Sequence, residues 1–251
     1  IQSPSTIMKR KRWVILFSCL GLSLVFWAWR VNNRELWSVE TSPIYRLVIS
    51  PRGEVAVHNE GRVELIDHRG KSRVLSDYGR TVLPQASAGE RGFVARRYDR
   101  LNSDTVLLNW EGRLQWSYPV AGWSTEVSPG GMIYILGSDT NFHALNPDGT
   151  LRWSWPLARH LAGRSHEWAM AVGGDDSVAL RIDASDRVLL FEQDGALRWK
   201  TLPTVQENFV HMARDREGGV IQAAHGWLRS LSPMGEVRWK ITFPPNISPE
   251  D

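Results

Sequence analysis

Histidine and cysteine side chains are the residues of this sequence that could ligate a transition metal. The 251-residue chain contains seven histidines and one cysteine, Cys19. No two histidines have the His-x-His or His-x-x-x-His spacing that puts two ligands on one face, so a zinc site would need residues from distant segments. The histidines are His58, His68, His143, His160, His166, His211 and His225. We therefore predict no metal-binding residue.

Carboxylates are grouped in one glycine-rich stretch, Gly173-Gly174-Asp175-Asp176, and occur nearby at Asp183 and Asp186. These positions have the composition of turns, in which a carboxylate commonly accepts hydrogen bonds from backbone N–H groups. The glycine pair lacks the following helix that phosphate binding requires, and the chain has no Gly-x-Ser-x-Gly segment. We predict no catalytic residue, no cofactor-binding residue and no bound cofactor, and we expect a protein that is not an enzyme.

Charge is distributed unevenly along the chain. Residues 1–34 hold six basic residues and no acid, whereas the rest of the chain has 24 basic and 27 acidic residues. The basic isoelectric point therefore belongs to the N-terminal segment and not to the main domain. A mildly acidic domain lacks the electrostatic surface that phosphate backbones require, so we predict that nucleic acid is not a partner.

A short β motif recurs along most of the chain. Five glycines at intervals of 42, 37, 46 and 40 residues are each followed, four positions later, by a valine or a tryptophan. A period near forty residues, with short β-branched and aromatic runs between turn residues, is typical of propeller blades. The pairs are Gly70 and Val74, Gly112 and Trp116, Gly149 and Trp153, Gly195 and Trp199, and Gly235 and Trp239. The sequence thus predicts an all-β fold, a β-propeller of about five four-stranded blades over residues 36–251.

Three copies of the motif resemble a known repeat family. "LNPDGTLRWSW", "FEQDGALRWK" and "LSPMGEVRWK" are similar to the final strands of quinoprotein-type (PQQ-like) propeller repeats, and "SPGGMIYILGSD" resembles the opening of that repeat. The resemblance covers roughly residues 35–251. It implies that Trp116, Trp153, Trp199 and Trp239 dock against the neighbouring blade.

The resemblance implies that the enzymes of that family carry a quinone, calcium, a catalytic aspartate and often a vicinal disulfide. The single cysteine of this chain excludes the disulfide. The chain is also shorter than their eight-bladed rings. It resembles instead the non-enzymatic propeller lipoproteins of outer-membrane assembly and accessory propeller subunits in general.

The N-terminal segment has the pattern of a membrane anchor. A basic cluster precedes seventeen uncharged residues from Trp13 to Trp29, which as a helix would span about 25 Å. The basic residues predict a cytoplasmic N-terminus (1–12), a transmembrane helix (13–29), a connector (30–35) and a propeller in the periplasm of a bacterial inner membrane. A cleaved signal or a lipoprotein signal at Cys19 remains the alternative. The predicted anchor residues are Lys9, Arg10, Lys11, Arg12, Trp13, Trp27 and Trp29.

Two segments outside the repeats are expected to make further contacts. Leu36–Ser42 looks like the outer strand of an incomplete blade, and pairing with the C-terminal strands would close the ring. A longer insertion between the third and fourth blades carries polar side chains that are candidates for contact with a partner. These are Arg159, His160, Arg164 and His166.

The functional expectation follows from the anchor and the missing chemistry. We expect a non-enzymatic scaffold or accessory subunit whose partners are integral membrane proteins of a larger complex and, through residues 13–29, the lipid bilayer. The alternative is a small-ligand-binding propeller, or a remnant of a quinone-dependent enzyme, that uses the central channel. Carboxylates and histidines converging at one channel mouth would favour the ligand, whereas a large apolar patch on the side would favour the scaffold.

Overall fold

The computed structural model describes part of the chain. The described residues are 24–29, 36–41, 44–59, 62–75, 81–98, 102–157, 168–181, 187–201, 211–224 and 226–243. Within these ranges the fold is almost entirely β, with one short 3-10 helix at Gly89–Arg91.

The two N-terminal strands differ from the prediction. β1 (Leu24–Trp29) pairs antiparallel with β2 (Leu36–Thr41), so the helix predicted over residues 13–29 is wrong for its last six residues. The reason is compositional: Leu-Val-Phe-Trp-Ala-Trp is rich in aromatic and branched residues, which suit a strand once a second strand pairs with it. In the described ranges β2 pairs with β1 and with no strand of the C-terminal blade, so the pairing that would close the ring is not found there. Nowhere in the described ranges does a helix reach the length and apolarity needed to cross a bilayer.

Five four-stranded antiparallel sheets follow, and we number them as blades 1 to 5. In blade 1 these are β3 (Ile44–Ile49), β4 (Val55–Asn59), β5 (Arg62–Ile66) and β6 (Ser72–Leu75). In blade 2 they are β7 (Thr81–Ser87), β8 (Phe93–Tyr98), β9 (Ser103–Leu108) and β10 (Leu114–Tyr118). Blade 3 has β11 (Gly122–Val127), β12 (Ile133–Gly137), β13 (Asn141–Leu145) and β14 (Leu151–Pro156).

Blade 4 has β15 (Ala169–Val172), β16 (Val178–Arg181), β17 (Leu189–Phe191) and β18 (Leu197–Lys200). Blade 5 has β19 (His211–Arg214), β20 (Val220–Ala224), β21 (Trp227–Leu231) and β22 (Val237–Thr242). The strands of each blade pair in chain order, and the first strands of consecutive blades lie side by side. The five four-stranded blades predicted from the glycine period are therefore confirmed.

The middle strands of blade 3 are buried on both faces because blades 2 and 4 pack on its two sides. In β12 every residue is buried, whereas the outer strand β14 alternates between exposed and half-buried residues. Continuous apolar runs are the expected composition for strands covered on both faces. The cluster between blades 3 and 4 comprises Met132, Tyr134, Leu136, Phe142, Ala144, Leu157, Met170, Val178, Leu180, Leu189 and Phe191.

The turn before each outer strand requires a glycine. In blade 3 the Gly149 N–H donates to the Asn146 carbonyl at 2.9 Å, and Gly149 has a φ of 85°. Only glycine adopts this left-handed conformation without strain. A β-bulge follows between the pairs Ala144–Trp153 and Leu145–Leu151, and it turns Trp153 towards blade 4.

The same turn glycine receives the tryptophan of the preceding blade. A Cβ atom built on Gly149 would lie 2.5 Å from Cδ2 of Trp116, and one on Gly195 would lie 2.8 Å from Cγ of Trp153. A Cβ atom on Gly235 would likewise lie 2.8 Å from Cδ2 of Trp199. The backbone at these glycines thus packs directly on an indole ring.

Each of these indoles also makes one hydrogen bond to the turn on which it packs. In each case the indole Nε1–H donates to a backbone carbonyl. Trp116 donates to the carbonyl of Pro147 at 3.2 Å, and Trp153 donates to that of Gln193 at 2.9 Å. Trp199 donates to the carbonyl of Pro233 at 2.8 Å. The acceptor in every case lies two residues before the turn glycine. Ring packing and this hydrogen bond together join blade 2 to 3, 3 to 4, and 4 to 5.

Blade 1 makes the equivalent contact with different residues. Its outer strands pair in regular register without a bulge, so Arg73 lies opposite Leu65 and Val74, four residues after the turn glycine, is exposed. Arg73 Nη2 donates to the Trp110 carbonyl at 2.9 Å, and a Cβ atom on Gly112 would lie 2.1 Å from Cδ2 of Leu75. An arginine and a leucine therefore replace the single tryptophan.

Substitution of a docked glycine should cost more than substitution of an undocked one with the same backbone conformation. Gly195 has a φ of 91° with Trp153 against it, whereas Gly53 has a φ of 86° and open space around it. Gly53→Ala should lower the free energy of unfolding by about 1 kcal/mol through backbone strain alone. Gly195→Ala should lower it by at least about 1 kcal/mol more, because the methyl group displaces the indole. Urea denaturation measures both, and equal losses would contradict the docking.

Candidate interaction surface

Blade 5 ends in an apolar surface that has the composition of a blade interface. Trp239, Ile241 and Phe243 alternate along β22 and just beyond it, and their exposed fractions are 41%, 48% and 45%. We call these three residues the end face. Large side chains exposed next to one another on a single strand are characteristic of a protein interaction site.

Comparison with blade 3 shows what this surface lacks. Counting from the turn glycine, Trp153, Trp155 and Leu157 occupy the positions of the end-face residues in blade 3. There Trp155 meets Phe191 of blade 4 with ring centroids 5.1 Å apart, and Leu157 is completely buried. The end face thus has the residue types of an interface whose opposite side is missing from the described ranges.

The alternate residues of β22 serve the fold. Lys240 Nζ lies 5.5 Å from the ring centroid of buried Trp227, and Arg238 Nη1 lies 3.1 Å from Asp215 Oδ2 and 2.9 Å from Glu217 Oε2. The strand therefore has a cationic side joined to its own blade and an apolar side exposed to solvent.

The other end of the blade series differs from blade 5. The side of blade 1 away from blade 2 holds Val55, Val57 and Ile66, which are exposed by only 8%, 0% and 2%. The two ends of the series therefore differ: Val55, Val57 and Ile66 at the first end are buried, although Ile49 on β3 is 54% exposed, and the three end-face residues are all exposed.

The residues predicted to dock are placed in two different situations. Trp116, Trp153 and Trp199 lie half-buried against the next blade, as described above. Trp239 departs from this pattern, because no described blade lies against it and no acceptor for its indole N–H occurs among the described residues. The sequence motif alone could not distinguish Trp239 from the other three, since the covering blade belongs to tertiary structure.

The other predicted contact residues lie largely outside the described residues. This holds for the insertion residues Arg159, His160, Arg164 and His166, and for Lys9, Arg10, Lys11, Arg12 and Trp13 of the predicted anchor. Trp27 and Trp29 belong to β1.

The aspartates of the glycine-rich stretch cross-link blades. The Asp176 carboxylate accepts a hydrogen bond from the Gly130 N–H of blade 3 at 2.9 Å. The Arg214 guanidinium of blade 5 donates to Ser177 Oγ at 2.7 Å and lies 3.7 Å from Asp175 Oδ1. Burial acts to raise the pKa of Asp175, but its hydrogen bonds from Ser177 and the charge of Arg214 outweigh burial and lower that pKa. Asp183 and Asp186 lie outside the described residues.

One histidine takes part in a hydrogen-bonded chain between blades. His143 Nδ1 lies 3.2 Å from Tyr118 Oη, and Nε2 lies 3.0 Å from Asp139 Oδ1. His143 is 4% exposed, so the chain acts as a polar link between blades 2 and 3. Among the residues that the structure describes, no three His, Cys, Asp or Glu side chains come together in a way that could hold a metal ion.

Glu126 on β11 supplies a test by pH. Burial raises the pKa of its carboxyl group, because the charged form loses hydration. A carboxyl group whose pKa is raised in the folded state makes its full contribution to the free energy of unfolding below its unfolded-state pKa of about 4.3. That contribution is lost as the pH rises through the folded-state pKa. The free energy of unfolding of the wild type should therefore fall over that interval. The free energy of unfolding of Glu126→Gln should fall less over the same interval, so the variant should be more stable than the wild type at about pH 7.

Urea denaturation between about pH 4 and pH 8 measures this difference, with Glu111→Gln at an exposed turn as the matched control. The same pH dependence in Glu126→Gln and wild type would contradict it.

The two kinds of tryptophan should respond differently to truncation. Trp153→Ala should lower the free energy of unfolding by about 3 kcal/mol, because it removes an interblade contact and a hydrogen bond. Trp239→Ala should lower it by less than about 1 kcal/mol, because its ring has no covering blade. Thermal unfolding of the two variants compares them, and a large loss in Trp239→Ala would show that the end face is covered.

Comparison with known proteins supports the fold. No protein-family model matches this chain, and no curated protein matches it. A catalytically inactive virginiamycin B lyase from Staphylococcus aureus, crystallised with quinupristin, matches with a TM-score of 0.59 and 13% identity over 88% of this chain and 74% of the lyase. A protein of unknown function from Bacteroides caccae matches with a TM-score of 0.51 and 12% identity over 88% of this chain and 89% of that protein.

BamB from Moraxella catarrhalis has a TM-score of 0.48 and 13% identity over 88% of this chain and 85% of BamB, a similarity too slight to carry an argument. At these identities the likeness to solved structures concerns the fold alone. Five consecutive four-stranded sheets and the similarity to the lyase are together consistent with a β-propeller fold.

Proposed function

We propose that this protein is a non-enzymatic scaffold that binds another protein through the end face of blade 5. The single observation that carries the proposal is the exposure of Trp239, Ile241 and Phe243 at 41–48%. Water contact with three large apolar side chains is unfavourable by roughly 25 cal/mol per Å² of apolar area, and a partner that covers them recovers this free energy. Aromatic residues at the centre of such a patch commonly dominate binding energy.

The rigid position of the end face also suits a scaffold. Trp239 lies on a strand that pairs along its whole length with β21, and β21 is held in turn by β20. Because the strand is fixed before binding, little conformational entropy is lost when a partner docks.

Membrane attachment is the second part of the proposal. The basic residues from Lys9 to Arg12 and the uncharged residues 13–23 that precede β1 support attachment to the inner membrane, with the blades in the periplasm as predicted from the sequence. Attachment would raise the effective concentration of the end face near integral membrane subunits of a larger complex. Alkaline extraction of membranes tests it. We expect the full chain to stay in the pellet and a variant lacking residues 1–23, which keeps β1, to be released; release of the full chain would contradict it.

Replacement of end-face residues by aspartate tests the binding role. Trp239→Asp with Ile241→Asp should abolish the assembly purified in mild detergent, because each carboxylate would lose hydration in the interface. Leu151→Asp is the matched control, since Leu151 is 49% exposed on the outer strand of blade 3, away from the end face. Native mass spectrometry reports the mass of the assembly, and circular dichroism checks folding. A monodisperse monomer in the wild type, or equal loss in the control, would contradict the role.

A further inference from the structure

The blade interfaces define what kind of surface fits the end face. Blades 2, 3 and 4 each present an outer-strand tryptophan, and each indole meets the same two features of the next blade. The first feature is a glycine in the left-handed conformation, with φ between 82° and 91°, packed on the ring. The second is the backbone carbonyl two residues earlier, which accepts the indole N–H at 2.8–3.2 Å.

Both features belong to a backbone turn and leave little freedom in what can replace them. A side chain at the glycine position would occupy the space of the indole, as the distances of 2.5–2.8 Å from a built Cβ atom show. The carbonyl is oriented outward by the turn itself, since the glycine N–H returns to the residue that opens the turn. The complement of the tryptophan therefore includes a glycine β-turn, which lies beside apolar side chains of the next blade such as Phe191.

Trp239 occupies the same position in blade 5. It follows Gly235 by four residues, as Trp153 follows Gly149, and it lies after the same bulge in the strand pairing. Ile241 and Phe243 continue the surface at the positions where Trp155 and Leu157 contact blade 4. The end face thus continues the geometry of the established interfaces.

A second copy of the same chain is a poor fit to this surface. Head-to-tail stacking would place blade 1 of one copy on blade 5 of another. The side of blade 1 that would be used holds Val55, Val57 and Ile66, which are already buried. Stacking of two end faces on each other would bring two tryptophans together without any turn between them.

We propose that the partner is a β-sheet protein that presents a glycine β-turn to Trp239, with the carbonyl two residues before the glycine accepting the indole N–H. Its adjoining strand covers Ile241 and Phe243, so that the partner sits on blade 5 as a further blade would. This inference rests on the proposed function, because it takes the end face to be a protein-binding surface.

A cyclised hairpin copying Leu189–Lys200 is the probe. In the protein this segment carries the Gly195 turn that packs on Trp153. The ¹⁵N-labelled full chain in mild detergent is titrated with the hairpin, and the indole N–H signal of Trp239 is assigned by its loss in Trp239→Phe. We expect a saturable shift of this signal. A hairpin with Gly195→Ala should bind at least about tenfold more weakly, because its methyl group blocks the ring.

Fluorescence anisotropy of a labelled hairpin measures the role of the indole N–H. Trp239→Phe keeps an aromatic ring but loses the donor, so affinity should fall about fivefold or more. Leu151→Asp, outside the end face, should bind as the wild type does. Equal affinity of the wild-type protein for the glycine and alanine hairpins would overturn the inference. Equal affinity of Trp239→Phe and the wild-type protein for the glycine hairpin would also overturn it.

The remaining outcomes separate the inference from the proposed function. If the wild-type assembly depends on Trp239 but the hairpin does not bind, the scaffold role stands and the glycine-turn partner is overturned. If the assembly is also independent of Trp239, both fail. Protection of the Trp239 indole N–H from hydrogen exchange in the free monomer would show that the chain covers its own end face. Concentration-dependent dimers that are lost in Trp239→Asp would show that a second copy of the chain covers it. Either result overturns the inference.

Discussion

The packing of an indole ring on a glycine turn is the interaction on which this structure depends. A blade is apolar on both faces, so a surface that covers either face stabilises it. The turn glycine lets the backbone of one blade approach the ring of the previous blade, and the indole N–H uses a carbonyl that the turn leaves free. Repetition of this contact from blade 2 to blade 5 sets the position of every blade relative to the next.

The same constraint explains where interaction is expected. A series of blades must end, and its last face either meets another surface or stays in water. In this protein the last face carries Trp239, Ile241 and Phe243 in exposed positions, whereas Val55, Val57 and Ile66 of blade 1 are buried. The functional proposal is thus a consequence of how the blades are held together, and it needs no special chemistry at the site.

Much of the fold could be predicted because the signals are local. Asn146 and Gly149 form a turn whatever surrounds them, and the alternation after the glycine places Trp153 on one face of its strand. The prediction failed where two readings of a local pattern compete. Leu24–Trp29 reads as the end of an apolar helix, yet it forms a strand paired with Leu36–Thr41. Val74, for which no docking role was predicted, has the spacing of the tryptophans; a register without a bulge leaves it exposed, and Arg73 and Leu75 contact blade 2 instead.

The sequence by itself determined the β class, the blade period, the turn glycines and the position of the tryptophan after each turn, because each depends on backbone preferences within a few residues. Only the tertiary structure decided that Trp239 differs from Trp153, since the two have the same local motif and differ in whether a blade follows. It also decided that Asp175 and Asp176 link blades, because their partners Arg214 and Gly130 lie about forty residues away along the chain. Contacts between distant segments follow from how the blades pack, and no local pattern records them.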